Sequence, residues 1–363
     1  MTTRTILIMA GGTGGHVFPG LAVADYLKQI GWHVVWLGTE AGMETKLVPQ
    51  RGYQTEVISF SGLRGKRLTT WLTLPLRLLK AFFQSVRIIQ RVKPDVVLGM
   101  GGYPAFPGGM MASLLNKPLV IHEQNSVAGL TNKILAQVAD KIFLGFPDVG
   151  LAKKARAMCS GNPVRAEIEQ IEAPQRRFSG RQGKLNLLVV GGSLGAQALN
   201  TTVPQALKLL PGHLRPIVIH QTGASHLEAV RKAYAEMALE GEIVAFIDDM
   251  AKRYAACDLV LCRSGALTVA ELSAAGVASI LVPYPHAVDD HQTGNARFLA
   301  SHGAAVLLPQ QELTAERLAR LLTDLTREHL LGMAVAARNQ AKPEATRIVA
   351  EACIELSGAS NEA

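Results

Sequence analysis

The sequence predicts an α/β protein of two similar domains, each built on a parallel sheet, facing a central cleft. Three observations predict it. At 363 residues the chain is longer than one hydrophobic core usually supports. Short, nearly all-apolar runs alternate with helix-length segments from end to end. A strand leading straight into clustered glycines occurs twice, at Gly11-Gly12-Thr13-Gly14-Gly15 and at Gly191-Gly192-Ser193-Leu194-Gly195.

In the first half, strands are expected from Thr5 to Met9, His33 to Leu37, Asp95 to Leu98, Pro118 to His122 and Lys141 to Leu144. They read as buried and parallel because they are apolar throughout rather than alternating. Helical segments between them complete right-handed βαβ units. A polar stretch from Glu167 through Lys184 then marks a junction, which divides the chain into 1–162 and 163–341. The second half repeats the pattern, with strands near Leu185 to Val190, Pro216 to Ile219, Ile243 to Ile247, Asp258 to Cys262, Ser279 to Val282 and Ala304 to Leu308. Residues 342–363 read as a helix from Lys342 to Leu356 that returns to the first domain, then a frayed tail.

Composition narrows the function classes. Apolar residues make up 48% of the chain, which excludes a disordered protein. The four cysteines show neither zinc-ligand spacing nor a disulfide-rich pattern, and fit a reducing compartment. No signal-peptide pattern or membrane-spanning run is present in the sequence. A net charge of +8 implies acidic partners: nucleic acid, anionic lipid or a phosphorylated substrate.

The glycine loops favour the last class. Glycines between a strand and a helix let the backbone approach a ligand, and the helix start offers free N–H groups with partial positive charge. Read alone, the first loop is either such a cradle or a tight turn. It fits the dinucleotide pattern poorly, since the third glycine position falls on Val17. A sharper feature is Cys262-Arg263-Ser264-Gly265-Ala266-Leu267-Thr268-Val269-Ala270-Glu271, where a strand turns on glycine into a helix. Amides from Ala266 onward, through Val269 and Ala270, can face a diphosphate. Glu271 then either accepts hydrogen bonds from ribose hydroxyls or is a solvated helix residue. Backbone groups at Ile247, closing a strand before Asp248-Asp249, can read the edge of a base.

Taken in series, Gly11 to Pro19, Gly101-Gly102-Tyr103-Pro104, His122-Glu123-Gln124-Asn125, Gly161 to Arg165, Gly191-Gly192-Ser193, Arg263 to Glu271 and Asp290-His291-Gln292 resemble the signature of glycosyltransferase family 28, across nearly the whole chain. The resemblance implies a GT-B fold of two Rossmann-like domains. It also implies an inverting transfer of N-acetylglucosamine (GlcNAc) from UDP-GlcNAc to the 4-hydroxyl of the muramoyl sugar in undecaprenyl-pyrophosphoryl-MurNAc-pentapeptide (lipid I). The product is lipid II, which feeds peptidoglycan synthesis, cell shape and division. By the same resemblance Thr13, Gly14 and Gly15 lie at the donor, Asn125 holds hydroxyls of the transferred sugar, and Arg165 and Ser193 meet the diphosphate. Ile247 meets the uracil, Ala266 to Thr268 the phosphates, Glu271 the ribose and Gln292 the GlcNAc. Leu194 stands where some members of the family carry glutamine.

Direct displacement needs a base for the acceptor hydroxyl and stabilisation of the departing UDP. His16 is the first candidate base, because imidazole as a class exchanges protons near neutrality; the other reading is a helix-start packing residue. Glu123 and Tyr103 are the alternatives. Arg165, Ser193 and the helix start near Ala266 serve the leaving group, so neither a metal nor a cofactor is expected.

Residues 64–93 hold eight basic residues and no acidic one, interleaved with Trp71, Leu76, Leu79, Phe82 and Phe83. On a helix from Pro75, Arg77, Lys80, Gln84, Arg87 and Arg91 form one stripe, and apolar residues cover far more than the roughly 100° a surface helix needs for packing. The surplus suits an anionic membrane surface, with peripheral attachment at the cytoplasmic side of the inner membrane. The spacing does not suit stacking on nucleic acid. Other cell-wall and division proteins are the protein partners such a location suggests. Two rival readings are an NAD(P)-dependent oxidoreductase on doubled Rossmann domains and a UDP-sugar-binding membrane module without turnover.

Overall fold

The computed structural model describes residues 3–60, 73–147, 149–151 and 155–358. It divides into one unit of Met1–Arg165 with Pro343–Ala363 and a second of Ala166–Lys342.

The first unit carries β1 (Thr5–Met9), β2 (His33–Thr39), β3 (Gln54–Ile58), β4 (Val96–Gly99), β5 (Leu119–Glu123), β6 (Lys141–Leu144) and β7 (Ala157–Cys159). They form a seven-stranded sheet in the order β3-β2-β1-β4-β5-β6-β7. Every pairing is parallel; Ile6 of β1 stands beside Val34 on one side and Val96 on the other. Helices therefore cover the sheet, which is why Ile6, Leu7 and Ile8 are all fully buried.

The second unit carries β8 (Asn186–Val190), β9 (Ile217–Gln221), β10 (Glu242–Val244), β11 (Leu259–Cys262), β12 (Ser279–Leu281) and β13 (Ala305–Leu307). Its six-stranded order, β10-β9-β8-β11-β12-β13, repeats that of the first six strands of the other unit. In both, the strand order reverses beside the first strand, and crevices at the carboxyl ends of strands flanking such a reversal are where α/β sheets hold ligands.

A second likeness joins the two frames. The amide of Thr5 donates to Asp95 Oδ2 at 2.8 Å, and that of Asn186 donates to Asp258 Oδ2 at 2.8 Å. Each aspartate precedes the neighbouring central strand and satisfies the first N–H of the strand beside it. Asp258 is fully buried and also meets Arg181 at 2.7 Å and Arg327 at 3.4 Å.

The strands the sequence reading leaves out are edge strands. β3 and β7 are partly exposed, so their residues need not be apolar and carry no buried-strand pattern. At the other sheet edge β10 ends at Val244, and Ile247, expected to close that strand, lies in the following loop with its side chain buried. The division falls after Arg165 rather than after Asn162. Val164 is buried and its carbonyl accepts from Thr346 Oγ1 at 3.4 Å, while the Arg165 guanidinium lies over the Phe18 ring at 5.5 Å. The helix Ala345–Leu356 belongs to the first unit, where Val349, Ala350 and Cys353 are fully buried in a core shared with Leu21, Ala24 and Leu27. Of the expected tail, Ser357 and Gly358 are described; residues 359–363 lie outside the described chain.

Candidate active site

In the first unit β1 ends at Met9 and the chain turns through Gly11–Thr13 into the helix Gly14–Gln29. Thr13 is the N-cap, and its carbonyl takes the amides of His16 and Val17 at 3.1 and 3.2 Å. The amides of Gly14 and Gly15 come earlier in the turn and have no acceptor within the helix. The loop closes against a second one: Gly102 has φ +80°, and a Cβ there would stand 2.2 Å from the Gly11 carbonyl oxygen, so a side chain would push the two loops apart.

Glu44 braces this loop, and the sequence reading missed it. Fully buried, it accepts from the Gly12 amide at 3.1 Å and from the amide and hydroxyl of Thr39 at 2.8 and 2.9 Å. The available signal was the glycines around it: a Cβ at Gly11, Gly38 or Gly42 would come within 2.5, 2.5 or 2.0 Å of its side chain.

His16, Gln124 and His122 are joined in sequence. His16 Nδ1 lies 2.9 Å from Gln124 Oε1, Gln124 Nε2 lies 3.2 Å from His122 Nδ1, and His122 Nε2 lies 2.9 Å from the Gly161 carbonyl. His122 is fully buried, and burial pushes its imidazole down to about 4, so it is neutral near pH 7.

Glu123 is 2% exposed, and its carboxylate is taken up by donors. Oε1 accepts from the amide and Nδ2 of Asn125 at 3.0 and 3.3 Å, and Oε2 accepts from the Gly129 amide and Asn132 Nδ2 at 3.0 and 2.9 Å. It holds the 124–129 loop in shape and with it Asn125. Tyr103 sits in the neighbouring loop, 43% exposed.

In the second unit β8 runs into Gly191–Gly195 and then the helix Gln197–Leu209. Gly195 has φ +78°, and a Cβ there would fall 1.9 Å from the Thr222 carbonyl, so only glycine lets this loop lie against the next. Ser193 is exposed at its tip and Leu194 is 84% exposed. Gln221 ties the loop to Ile247: its Nε2 donates to the Gly192 carbonyl at 2.9 Å and its Oε1 accepts the Ile247 amide at 3.3 Å. The Ile247 N–H is thus spent, and a base edge would have to be read by other groups of that segment.

The helix Ala266–Ala275 starts at Gly265, with neither a side-chain cap nor an acidic residue in its first turn. Ala266, Leu267 and Thr268 hold its first amides, whereas the Val269 amide already donates to the Gly265 carbonyl at 3.0 Å. Ala270 lies one residue deeper, where the helical ladder takes its amide. The expected phosphate cradle therefore narrows to Ala266–Thr268; Val269 and Ala270 serve as helix interior. The preceding turn is held by Ser264, whose hydroxyl donates to the Gln292 carbonyl at 2.8 Å, and by Asn295, which donates to the Ser264 carbonyl at 3.1 Å. Gln292 Oε1 accepts the Tyr284 amide at 2.9 Å. Arg263 is anchored by the Val282 and Pro283 carbonyls and Gln310 Oε1 at 3.2, 3.2 and 2.6 Å.

Glu271 is 6% exposed, not the solvated helix residue that stood as its other reading, and accepts from the Tyr254 hydroxyl at 3.3 Å. At the far end of the helix Arg177, itself buried, donates to the carbonyls of Tyr254, Ala275 and Gly276. That clamp on the C-terminus was likewise not read from sequence.

Residues 6–144 match the glycosyltransferase family 28 N-terminal domain, and residues 186–351 match the family 28 C-terminal domain. The chain belongs to glycosyltransferase family 28. A relative from Nitrosospira multiformis, named UDP-N-acetylglucosamine--N-acetylmuramyl-(pentapeptide) pyrophosphoryl-undecaprenol N-acetylglucosamine transferase, is 64% identical over 354 residues, which is 98% of this chain and 99% of that one. One of the same name from Cupriavidus metallidurans is 60% identical over 360 residues, covering 99% and 100%. Among solved structures, Acinetobacter baumannii MurG superposes with a TM-score of 0.81 at 42% identity, covering 97% of this chain and 99% of that one. The S. aureus MnaA-UDP co-structure, at 13% identity and a TM-score of 0.68 over 99% and 98%, shares the fold alone. Two Rossmann-like units with parallel sheets thus make this family 28 transferase a member of the GT-B class, and the oxidoreductase reading falls away.

Proposed function

We propose that the chain moves GlcNAc from UDP-GlcNAc to the 4-hydroxyl of the muramoyl sugar of lipid I, with inversion, to form lipid II for peptidoglycan synthesis. The observation that carries this is identity of 57 to 64% across nearly the full chain to relatives that bear this transferase name.

Within that reading the second unit holds the donor. UDP leaves with two phosphates' negative charge, and the uncapped amides of Ala266–Thr268, at the positive end of their helix, oppose that charge without reorganising as it develops. Ser193 adds a donor to the diphosphate, and Arg165, which belongs to the first unit, is a further candidate donor by the family resemblance. Glu271 accepts the two ribose hydroxyls, its carboxylate already oriented by Tyr254. Gln292 and Asn125 hold hydroxyls of the transferred sugar, and the Ile247 segment meets the uracil. On the first unit the Gly14 and Gly15 amides, with Thr13, offer donors of the same kind to a phosphate or sugar. His16 removes the proton of the acceptor hydroxyl through Nε2, which makes no hydrogen bond among the described residues. Glu123 serves as the brace of Asn125, and Tyr103 as an exposed wall beside the acceptor.

The acceptor is a lipid, and the helix Leu74–Val92 supports attachment to an anionic membrane surface on the cytoplasmic side of the inner membrane. It buries Ala81, Ser85, Ile88 and Ile89, yet leaves Leu76, Leu79 and Phe83 71%, 64% and 56% exposed. Lys80 and Arg87 are exposed on that same side, the Arg87 guanidinium 4.2 Å from the Phe83 ring centre. Two members of the expected stripe are engaged within the unit: Gln84 Oε1 accepts the Ser59 amide at 2.9 Å and Arg91 pairs with Glu56. Residues 64–72 of the basic segment lie outside the described residues. Among the described residues no helix is long and apolar enough to cross a membrane.

Incubation with radiolabelled UDP-GlcNAc and a lipid I analogue tests the reaction, with UDP-GalNAc as control. Label is expected in the acceptor from the first donor and not the second; release of UDP without labelled acceptor would overturn the reading.

A further inference from the structure

We infer that Gln124 and His122 are positioning residues that fix the tautomer of His16, so that its Nε2 always presents a lone pair to the acceptor hydroxyl. This rests on His16 being the base. The direction of each hydrogen bond follows from groups that have no choice. The Gly161 carbonyl can only accept, so His122 Nε2, 2.9 Å away, carries the hydrogen and His122 Nδ1 is left with its lone pair. The His122 carbonyl likewise can only accept, and Gln124 Nε2 lies 3.1 Å from it, which sets the orientation of the Gln124 amide. The amide's second hydrogen then meets His122 Nδ1 at 3.2 Å, consistent with the first step. Gln124 Oε1 therefore faces His16 Nδ1 at 2.9 Å as an acceptor, and His16 Nδ1 must carry the hydrogen.

Two buried carbonyls thus dictate, through one glutamine, where the proton of a half-buried histidine sits. Nothing in the series can slip easily. Gln124 is 1% exposed, its own carbonyl is held by Asn162 Nδ2 at 3.0 Å, and a Cβ at Gly101 would stand 3.0 Å from His16 Nδ1. Burial keeps His122 neutral near pH 7, so the series keeps its polarity there. The logic is that of a histidine whose second nitrogen is fixed by a hydrogen-bond partner, with an amide and a backbone carbonyl in place of a carboxylate. An uncharged partner fixes the tautomer without stabilising an imidazolium, which suits a base that must afterwards release its proton.

The test is nitrogen NMR of the full-length protein with labelled histidine, the His16 signal being assigned by its loss in His16→Ala. Wild type is expected to show His16 protonated at Nδ1. In Gln124→Met, close to isosteric and able to stay buried, His16 is expected to drift toward the Nε2-protonated form. Its kcat then falls about tenfold, the range one hydrogen bond supports, with KM for UDP-GlcNAc unchanged. Protonation of His16 at Nε2 in wild type, or a tautomer unmoved in Gln124→Met, would overturn the inference. Full turnover by His16→Ala would instead remove His16 as the base while leaving the tautomer result intact, so the two failures are distinguishable.

Discussion

Replacing Glu123 by glutamine separates a brace from a base. The carboxylate receives four N–H donors, two on each oxygen, from Asn125, Gly129 and Asn132. Glutamine keeps one oxygen and presents an NH2 group where the other stood, so two donors lose their acceptor and face hydrogens instead. Each lost hydrogen bond to a buried charged group costs about 1.5 to 3 kcal/mol, and relaxation of the 124–129 loop recovers part, leaving a loss of about 3 kcal/mol. For a unit of this size that lowers Tm by roughly 6 to 12 °C. Turnover falls with it, because Asn125 and Gln124 ride on the same loop, and the loss is regained in part at lower temperature. The assay pairs scanning calorimetry with kcat at two temperatures. A loss of 10² or more in kcat, the scale of a missing general base, with Tm unmoved would refute the bracing role and make Glu123 the base.

Glu271→Ala is expected to raise KM for UDP-GlcNAc by at least about tenfold through the lost ribose contacts; unchanged donor affinity by calorimetric titration would take Glu271 out of the site. Asp258→Ala leaves Arg181, Arg327 and the Asn186 amide without their buried acceptor and is expected to cost about 3 to 5 kcal/mol, against about 1 kcal/mol for Asp95→Ala, whose partner Arg4 is 39% exposed; equal urea midpoints would contradict the difference. His122 and His220 are both driven down to about 4 by burial, while the unfolded chain titrates near 6.5. Between those values the unfolded state binds more protons, so stability falls as pH drops from about 6.5 to 4, by at most about 1.4 kcal/mol per pH unit for each histidine; a urea midpoint flat from pH 7 to 5 would count against it. Leu79→Glu with Phe83→Glu is expected to abolish co-sedimentation with anionic vesicles, and binding by wild type is expected to weaken with salt; sedimentation unaffected by the substitutions would remove this helix from the membrane.

The fold was legible wherever burial is two-sided. Runs such as Thr5–Met9 and Leu259–Cys262 are apolar because helices cover both faces of a parallel sheet, and their boundaries show in the residues themselves. Edge strands escape that logic, which is why Gln54–Ile58 and Ala157–Cys159 carry no signal. The glycine loops were legible because a tight turn beside a second backbone admits no other residue, as Gly102 and Gly195 show. What could not be read was the support beneath them. Glu44, Gln124 and Arg177 look in sequence like ordinary polar positions on helices and loops, and only contacts 32, 108 and 98 residues away reveal what each one holds. Glu123 shows a related limit: a carboxylate between His122 and Gln124 reads as reactive, and only the structure shows that each of its oxygens accepts two hydrogen bonds.

The two units spend the same frame differently, and on the proposed function the difference matches what each ligand would demand. Both set the first amide of the central strand on an aspartate, Asp95 or Asp258, and both open their loops beside the strand-order reversal. In the second unit the loop after β11 leads into a helix whose first amides are left uncapped, and the polar side chains around it, Ser264, Asn295 and Arg263, are turned to holding the backbone. A diphosphate carries its charge in every state of the reaction, so fixed dipoles suffice to hold it. In the first unit the end of β5 and the loop after it carry instead a run of polar side chains, in which Gln124 joins His122 to His16 and Glu123 holds Asn125. On the proposed function an acceptor hydroxyl has no charge until its proton leaves, so this unit would supply a defined proton acceptor. That requires side chains with a chosen tautomer, which the backbone alone cannot provide.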